Sequence, residues 1–264
     1  MMIKGIDVSR HNGVINWSKV KKSGINFVIV RAGYGFSSVD ERFKTNVNGA
    51  LKAGLNVGVY WFSYACSVAD AEKEAKFLCK LIEPYKGKFT MPICFDWEYD
   101  SYDYAVRNGV TPTKQLVSDM ATKFLTTVEN AGWYAMNYTN IDYAQRFFTD
   151  HVKTRFDTWL AQWSSKCTYG GNYGIWQYGA EQNYIDSKHV DGISGVVDKD
   201  YALKDYPNII KSNCLNGFKK TVYYTVKKDE TFSKVAEKNK MSATEMLKLN
   251  PNVILKEGQK IKIR

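Results

Sequence analysis

Seven or eight short apolar runs recur along the first 205 residues, most of them separated by amphipathic helical stretches, and this alternation restricts the fold more than any other feature of the chain. Ile3–Val8, Asn26–Arg31, Asn56–Phe62, Met91–Trp97, Trp133–Tyr138, Thr158–Trp163 and Tyr173–Tyr178 read as strands, and a turn-rich run, Gly192–Tyr201, closes the series. Helical periodicity falls between them, at Asn16–Lys22, Glu41–Ala53 and Val68–Ile82. Ser67 with Asp70 three residues on is a capping-box-like start. A long helix is opened by Thr111-Pro112, with Pro suited to the first helical position. Such an order predicts an α/β fold, a parallel TIM-like (β/α) barrel rather than an open sheet. An open doubly wound sheet is the alternative, but no GxGxxG or P-loop follows any strand, which removes its usual ligand. The second half is less regular, so a modified barrel with some helices missing is expected.

The run MPICFDWEYD, Met91–Asp100, ends a buried strand with two carboxylates two residues apart. Asp and Glu are depleted in strands and rarely buried unpaired. Side chains at i and i+2 share a strand face, so Asp96 and Glu98 point together into the barrel mouth while Trp97 points away. Barrel sites gather where strands end. Asp7 in KGIDVS and Asp198 in GVVDKDYA sit at such positions too. Like charges so placed raise the proton affinity of one of them, which is how a carboxylic acid stays protonated near neutral pH to act as a general acid. Structural ion pairs or helix caps are the bland alternative for Asp96 and Glu98. Arg31, at the end of the second run, is a candidate ion-pair partner for one of them.

Tyr34, Tyr60, Trp61, Tyr138, Trp163, Trp176 and Tyr178 fall at or near strand ends. Sugar rings stack on aromatic faces, so carboxylates among aromatics suit glycoside hydrolysis; each aromatic alone is more often core. Of Tyr60 and Trp61 only one can face inward. Three histidines at no ligand spacing argue against a transition-metal enzyme, and no cofactor is expected. Five cysteines with no CxxC pair read as buried free thiols of an intracellularly made protein.

The formal charge is +10, and it is concentrated at one end. From Tyr206 to Arg264 there are 13 basic and 5 acidic residues, against 24 and 22 in the other 205. That implies an anionic partner for the tail: nucleic acid, a membrane surface or an acidic wall polymer. The chain thus divides into a barrel over 1–205, a linker over 206–220 marked by Pro207 and Gly217, and a small βααβ unit over 221–264.

GIDVSRHNGVINW at Gly5–Trp17, RAGYG at Arg31–Gly35, GVYWF at Gly58–Phe62 and FDWE at Phe95–Glu98 resemble glycoside hydrolase family 25, the Chalaropsis-type lysozymes. WLAQW at Trp159–Trp163, IWQY at Ile175–Tyr178 and VDKDY at Val197–Tyr201 are similar to its later strands. The resemblance implies a modified barrel that cleaves the β-1,4 bond between N-acetylmuramic acid and N-acetylglucosamine in peptidoglycan. It implies Glu98 as general acid, Asp96 beside it acting on the substrate's acetamido group or the developing cation, and Asp7 and Asp198 in supporting roles. Arg31, Tyr34, Tyr60, Tyr138, Trp163 and Trp176 are the candidate substrate contacts. Where many relatives carry VDLN, this chain has Lys199-Asp200, so the role of Asp200 is open.

The tail resembles a LysM domain, which implies binding to N-acetylglucosamine-containing glycans, with Asp229, Thr231, Phe232 and Asn250 as candidate contacts. The usual Gly of its first loop is absent, and Asn250 and Pro251 are also turn residues. The implied partners are bacterial peptidoglycan and, through the basic tail, anionic wall polymers. No nucleic-acid motif is present, and no apolar run is long enough to span a membrane. Met1–Gly13 has no apolar signal region. Synthesis in a host cytoplasm and later release onto a Gram-positive wall, as for a phage endolysin, is therefore expected. A chitinase-like glycosidase is a poor fit, since ICFDWE lacks the earlier aspartates of a DxxDxDxE run. A wall-binding protein with a dead barrel would be signalled by loss of Glu98, which is present.

Overall fold

The computed structural model describes residues 2–179 and 189–263. The chain divides into two compact units, Met1–Lys211 with Leu215–Phe218, and Ser212–Cys214 with Lys219–Arg264. In the larger unit the strands are β1 (Ile3–Val8), β2 (Phe27–Tyr34), β3 (Ser38–Val39), β4 (Asn56–Phe62), β5 (Ile93–Asp96), β6 (Ala135–Asn140), β7 (Asp157–Ala161), β8 (Ile175–Gly179) and β9 (Asp198–Ala202). They pair in the order β1-β9-β8-β7-β6-β5-β4-β2, and β2 pairs back with β1. Eight strands therefore close into a ring, and the short β3 lies antiparallel on β2 outside it.

One strand departs from the parallel expectation: β9 runs antiparallel to both β8 and β1. An antiparallel neighbour needs no crossover back along the barrel. The reversal also moves Asp198. It begins β9 yet faces Asp7 near the end of β1, because the start of a reversed strand lies at the mouth.

Strand alternation sorts the side chains into two layers. Val28, Val30, Val57, Val59, Trp61, Phe95 and Trp97 lie in the core between sheet and helices. Phe27, Ile29, Cys94, Met136, Trp159, Ile175 and Ala202 fill the barrel interior. Gly5 is required for that filling: a Cβ there would stand 2.2 Å from the Phe27 ring. Six of the covering helices are α1 (Trp17–Lys22), α2 (Phe43–Lys52), α3 (Val68–Ile82), α4 (Tyr99–Arg107), α5 (Lys114–Asn130) and α6 (Ile141–Arg146), and α7 (Asp150–Arg155) follows them. Ser67 caps α3 as expected, accepting from the Asp70 N–H and donating its hydroxyl to the Asp70 carboxylate. The long α5 is capped by Thr113 rather than opened by Pro112, because the Thr113 hydroxyl accepts the Leu116 N–H. Between α7 and α8 (Tyr206–Ser212) no helix occurs among the described residues.

Most of the stretch 206–220 does not behave as a linker: its residues up to Lys211, and Leu215–Phe218, belong to the larger unit. Tyr206 and Ile210 of α8 are fully buried in the interior cluster with Phe27 and Ile29. Asn216 is likewise buried, and its side chain accepts from Tyr134 N–H at 2.7 Å and donates to the carbonyls of Phe89 and Met91. Its backbone bonds to Gly132 and Gly87. A composition rich in turn residues concealed a segment that closes the base of the barrel.

In the smaller unit, β10 (Tyr223–Thr225) pairs antiparallel with β11 (Lys260–Lys262), flanking α9 (Phe232–Lys238) and α10 (Ala243–Leu249). Its core is Val226, Val235, Ala236, Met246 and Ile261. The capping box of Ser242 with Glu245 starts α10. All five cysteines are free, though only Cys94 is fully buried. Among the described residues no helix is long and apolar enough to cross a membrane.

Candidate active site

A cleft of about 520 Å³ opens at the mouth of the barrel, a size suited to small ligands or a few sugar rings. Asp7, Asp96, Glu98 and Asp198 all line it, together with Arg31, Tyr60, Tyr138 and Trp163. The alternation that places them is the one read from the sequence: Asp96 and Glu98 face the cleft, while Trp97 is buried in the outer layer. Tyr60 is the inward member of its pair, and Trp61 points out, donating to the Gly35 carbonyl.

Burial sets the electrostatics. Loss of water around Glu98, reinforced by the charges of Asp100 and Asp198, pushes its carboxyl up to about 7. Asp96, 4% exposed, is raised well above the usual range by burial and by Glu98, and the Arg31 guanidinium only partly opposes this. Asp7 is raised by burial and by Asp198 and Asp200. At neutral pH the cleft therefore retains protons that exposed carboxylates would lose.

Arg31 is not paired with either member of the Asp96/Glu98 couple. Its Nε donates to Asp40 Oδ2 at 2.8 Å, and Asp40 also accepts the backbone N–H groups of Arg10 and Arg42. The buried Asp40 thus anchors the guanidinium beside Asp96, and only its field reaches that carboxyl. Two other expected contacts lie outside the cleft lining. Trp176 faces outward on β8, since Ile175 and Gln177 take the inner positions; its Nε1 donates to the Gln162 carbonyl and its ring meets Tyr178 and Tyr201. Tyr34 is half-buried against Tyr64, with the Arg31 guanidinium 5.7 Å from its ring centre.

The sequence pattern did not mark Gln177, nor Ser9, His11 and Asn12, which also line the cleft. Gln177 Nε2 donates to Asp7 Oδ2 at 2.8 Å, and its Oε1 accepts from Tyr138 hydroxyl at 3.1 Å and Trp163 Nε1 at 3.0 Å. A polar residue at an inward position of IWQY was the available signal. The wall beside Phe62 rests on a second buried acid: Glu74 of α3 accepts the Tyr64 N–H at 3.1 Å, and burial pushes it up to about 7.

In the smaller unit, Asp229 stands at φ 56°, the left-handed backbone that the missing Gly would have supplied. Thr231 caps α9 through the Lys234 N–H, and Phe232 packs against the unit's core. Asn250 has both amide donors committed, to the Met246 and Lys262 carbonyls, and its oxygen accepts the Lys262 N–H. Its side chain is a tie between α10 and β11 and has no donor left for a glycan. Of the four expected contacts, Asp229 and Thr231 are exposed.

Paired carboxyls walled by aromatics at the strand ends of a closed barrel are an arrangement that glycosidases use. The chain belongs to the glycosyl hydrolases family 25, which matches residues 6–187, and residues 224–264 match the LysM domain. It is 26% identical to Lysozyme M1 of Streptomyces globisporus over 202 residues, which cover 75% of this chain and 66% of that protein. It is 28% identical to the autolytic lysozyme of Clostridium acetobutylicum over 199 residues, covering 75% and 55%. The chain thus spans less than two thirds of the length of either relative. The fold is similar to that of the CTP1L endolysin, with a TM-score of 0.65 at 21% identity, covering 80% of this chain and 70% of that one.

Proposed function

We propose that this chain is an N-acetylmuramidase, a lysozyme that cleaves the β-1,4 bond between N-acetylmuramic acid and N-acetylglucosamine in peptidoglycan. The observation that carries this reading is the Asp96/Glu98 pair on one strand end, with Glu98 pushed up to about 7. Glu98 is partly exposed to the cleft and protonated over most of the acid-to-neutral range, so it donates its proton to the departing glycosidic oxygen. Asp96, one strand step deeper, polarises the 2-acetamido group of the muramic acid, whose oxygen then attacks the anomeric carbon from within the substrate. Asp198 faces the cleft beside Asp7, where negative charge stabilises the developing oxocarbenium ion. Tyr60, Tyr138 and Trp163 offer aromatic surfaces to the sugar rings. Membership of the family and the names of its lysozyme relatives support this assignment.

The LysM unit holds the enzyme on its polymer by binding N-acetylglucosamine-containing glycan. Its excess of lysines adds attraction to anionic wall polymers, which weakens with salt. The target is a Gram-positive wall, reached from outside the membrane.

Digestion of purified Gram-positive peptidoglycan, followed by borohydride reduction and mass spectrometry, tests the reading. Reduced muramic acid at the new ends is the expected result. Reduced glucosamine ends would make the chain a glucosaminidase, and no new ends would reduce it to a wall-binding protein.

A further inference from the structure

Asp200 is the one buried acid of the barrel interior for which the reaction above has no use. It sits on β9, two residues into the barrel from Asp198, and is completely buried. Its Oδ1 accepts the indole N–H of Trp159 at 2.8 Å. Its Oδ2 is also buried, yet among the described residues no N–H or hydroxyl group donates to it. The side chain that meets Asp200 is the carboxyl of Asp7.

The orientation of the surrounding donors is fixed. Because Gln177 Oε1 accepts from Tyr138 and Trp163, the amide nitrogen must face Asp7, and it donates there. Gln177 and Trp159 therefore supply one neutral N–H to each carboxyl. Two ionised carboxylates in contact, one 7% and the other 0% exposed, would have no cation between them among the described residues. Asp198 adds a further like charge. Arg31 is held by Asp40 and bears on Asp96 rather than on Asp7 or Asp200. Among the described residues, Tyr60, Cys94, Tyr138, Asp96 and Glu98 also face this floor and none carries positive charge; His11 lines the cleft but is not among the groups that bear on Asp7 or Asp200. One proton between two such carboxyls turns a repulsion into a short charge-assisted O–H···O⁻ bond and supplies the orphaned oxygen with its donor.

We propose that Asp200 is a positioning residue that keeps a single shared proton on Asp7, so that Asp7 meets the substrate as a neutral acid. The negative charge of the pair is held back on Asp200, at the floor of the cleft. Trp163, Gln177, Asp7, Asp200 and Trp159 then form one continuous hydrogen-bonded chain across four strands. This proposal rests on the muramidase reading only for its kinetic test.

Asp200→Asn separates the possibilities. Its oxygen can still accept from Trp159, while its amide nitrogen donates to Asp7, which ionises. The charge thereby moves from the floor to the side of the cleft facing Asp198 and Glu98, and Glu98 holds its proton to higher pH. In the full chain, the alkaline limb of turnover on purified walls is expected to move up by about half a pH unit or more. Carbon NMR of the chain labelled at the aspartate carboxyls gives a readout that needs no substrate, with the Asp7 signal assigned by its loss in Asp7→Asn. Asp7 should show a protonated carboxyl through neutral pH in the wild type and an ionised one in Asp200→Asn. An Asp7 already ionised at neutral pH in the wild type overturns the proposal, as does a variant profile that superimposes on the wild type after scaling. Should Asp200→Asn fail to fold, the wild-type titration decides alone. If the wild-type chain does not cleave walls, the muramidase reading fails while the NMR still decides the shared proton.

Discussion

Glu98 of the barrel and Glu230 of the LysM unit are both acids withdrawn from water, and they are driven in opposite directions. Glu98 loses water among other acids, with Asp100 and Asp198 as its charged neighbours, and rises to about 7. Glu230, whose side chain is 5% exposed, is bonded by the Lys238 ammonium and accepts the Lys227 N–H at 2.8 Å and the Tyr224 hydroxyl at 2.9 Å, and it falls to about 2. Burial by itself fixes neither sign. An acid buried among like charges becomes a proton source, and one bonded by a cation and two further donors becomes a structural tie, which is the division of labour proposed for the two units.

The largest effect that tests this contrast is on turnover. Glu98→Gln should lower it by about a thousandfold or more, since general acid catalysis commonly supplies that much. Wall binding should be unchanged, and melting near neutral pH should rise rather than fall, because Gln removes a buried acid raised to about 7; wild-type turnover in this variant would remove Glu98 as the acid. The next effect is on the stability of the barrel against pH. Glu74 is raised to about 7, so the folded state binds its proton more tightly than the unfolded chain does. Stability from this group is full below about 4.5 and declines as pH rises toward 7, by about 3 kcal/mol over that window. In Glu74→Gln the melting temperature of the barrel should lose this decline, and an unchanged slope in calorimetry would rule out Glu74 as its source.

Glu230 carries the opposite sign. Its stabilisation is present above the unfolded value near 4.5 and is lost as pH falls toward about 2. Glu230→Gln should therefore lower the melting of the small unit at neutral pH and flatten its response to acid. A variant as acid-sensitive as the wild type would show that the tie is idle. The smallest effect is at the neighbouring turn. Asp229→Gly relieves a left-handed backbone and should raise the small unit's stability by up to about 1 kcal/mol, measured by urea unfolding.

Strand parity made much of this site legible before any coordinates. Asp96, Glu98 and Tyr60 are placed by period-two alternation within single strands, and the ring of eight follows from the repeat. What stayed hidden depends on partners distant in the chain. Trp176 and Gln177 are adjacent, and only the pairing of β8 with its neighbours decides which one faces inward. Asp40 takes Arg31 from a turn beyond β2, where no local pattern marks it. Asn216 and Asn250 both read as turn residues, yet each is a buried hydrogen-bond hub reaching across the fold. Composition shows the preference of an asparagine for a bend and says nothing about what its amide will hold.

Asn216 also sets a timetable. Its side chain and backbone bond at Gly87, Phe89, Met91, Gly132 and Tyr134, around the starts of β5 and β6. A ribosome delivers those strands long before residue 216, and β1 waits as well for β9 to close the ring. The nascent barrel thus carries an open base and an open seam through most of its synthesis. The last part of the unit to leave the exit tunnel is the part that locks it, and a chain cut at 205 would omit the lock.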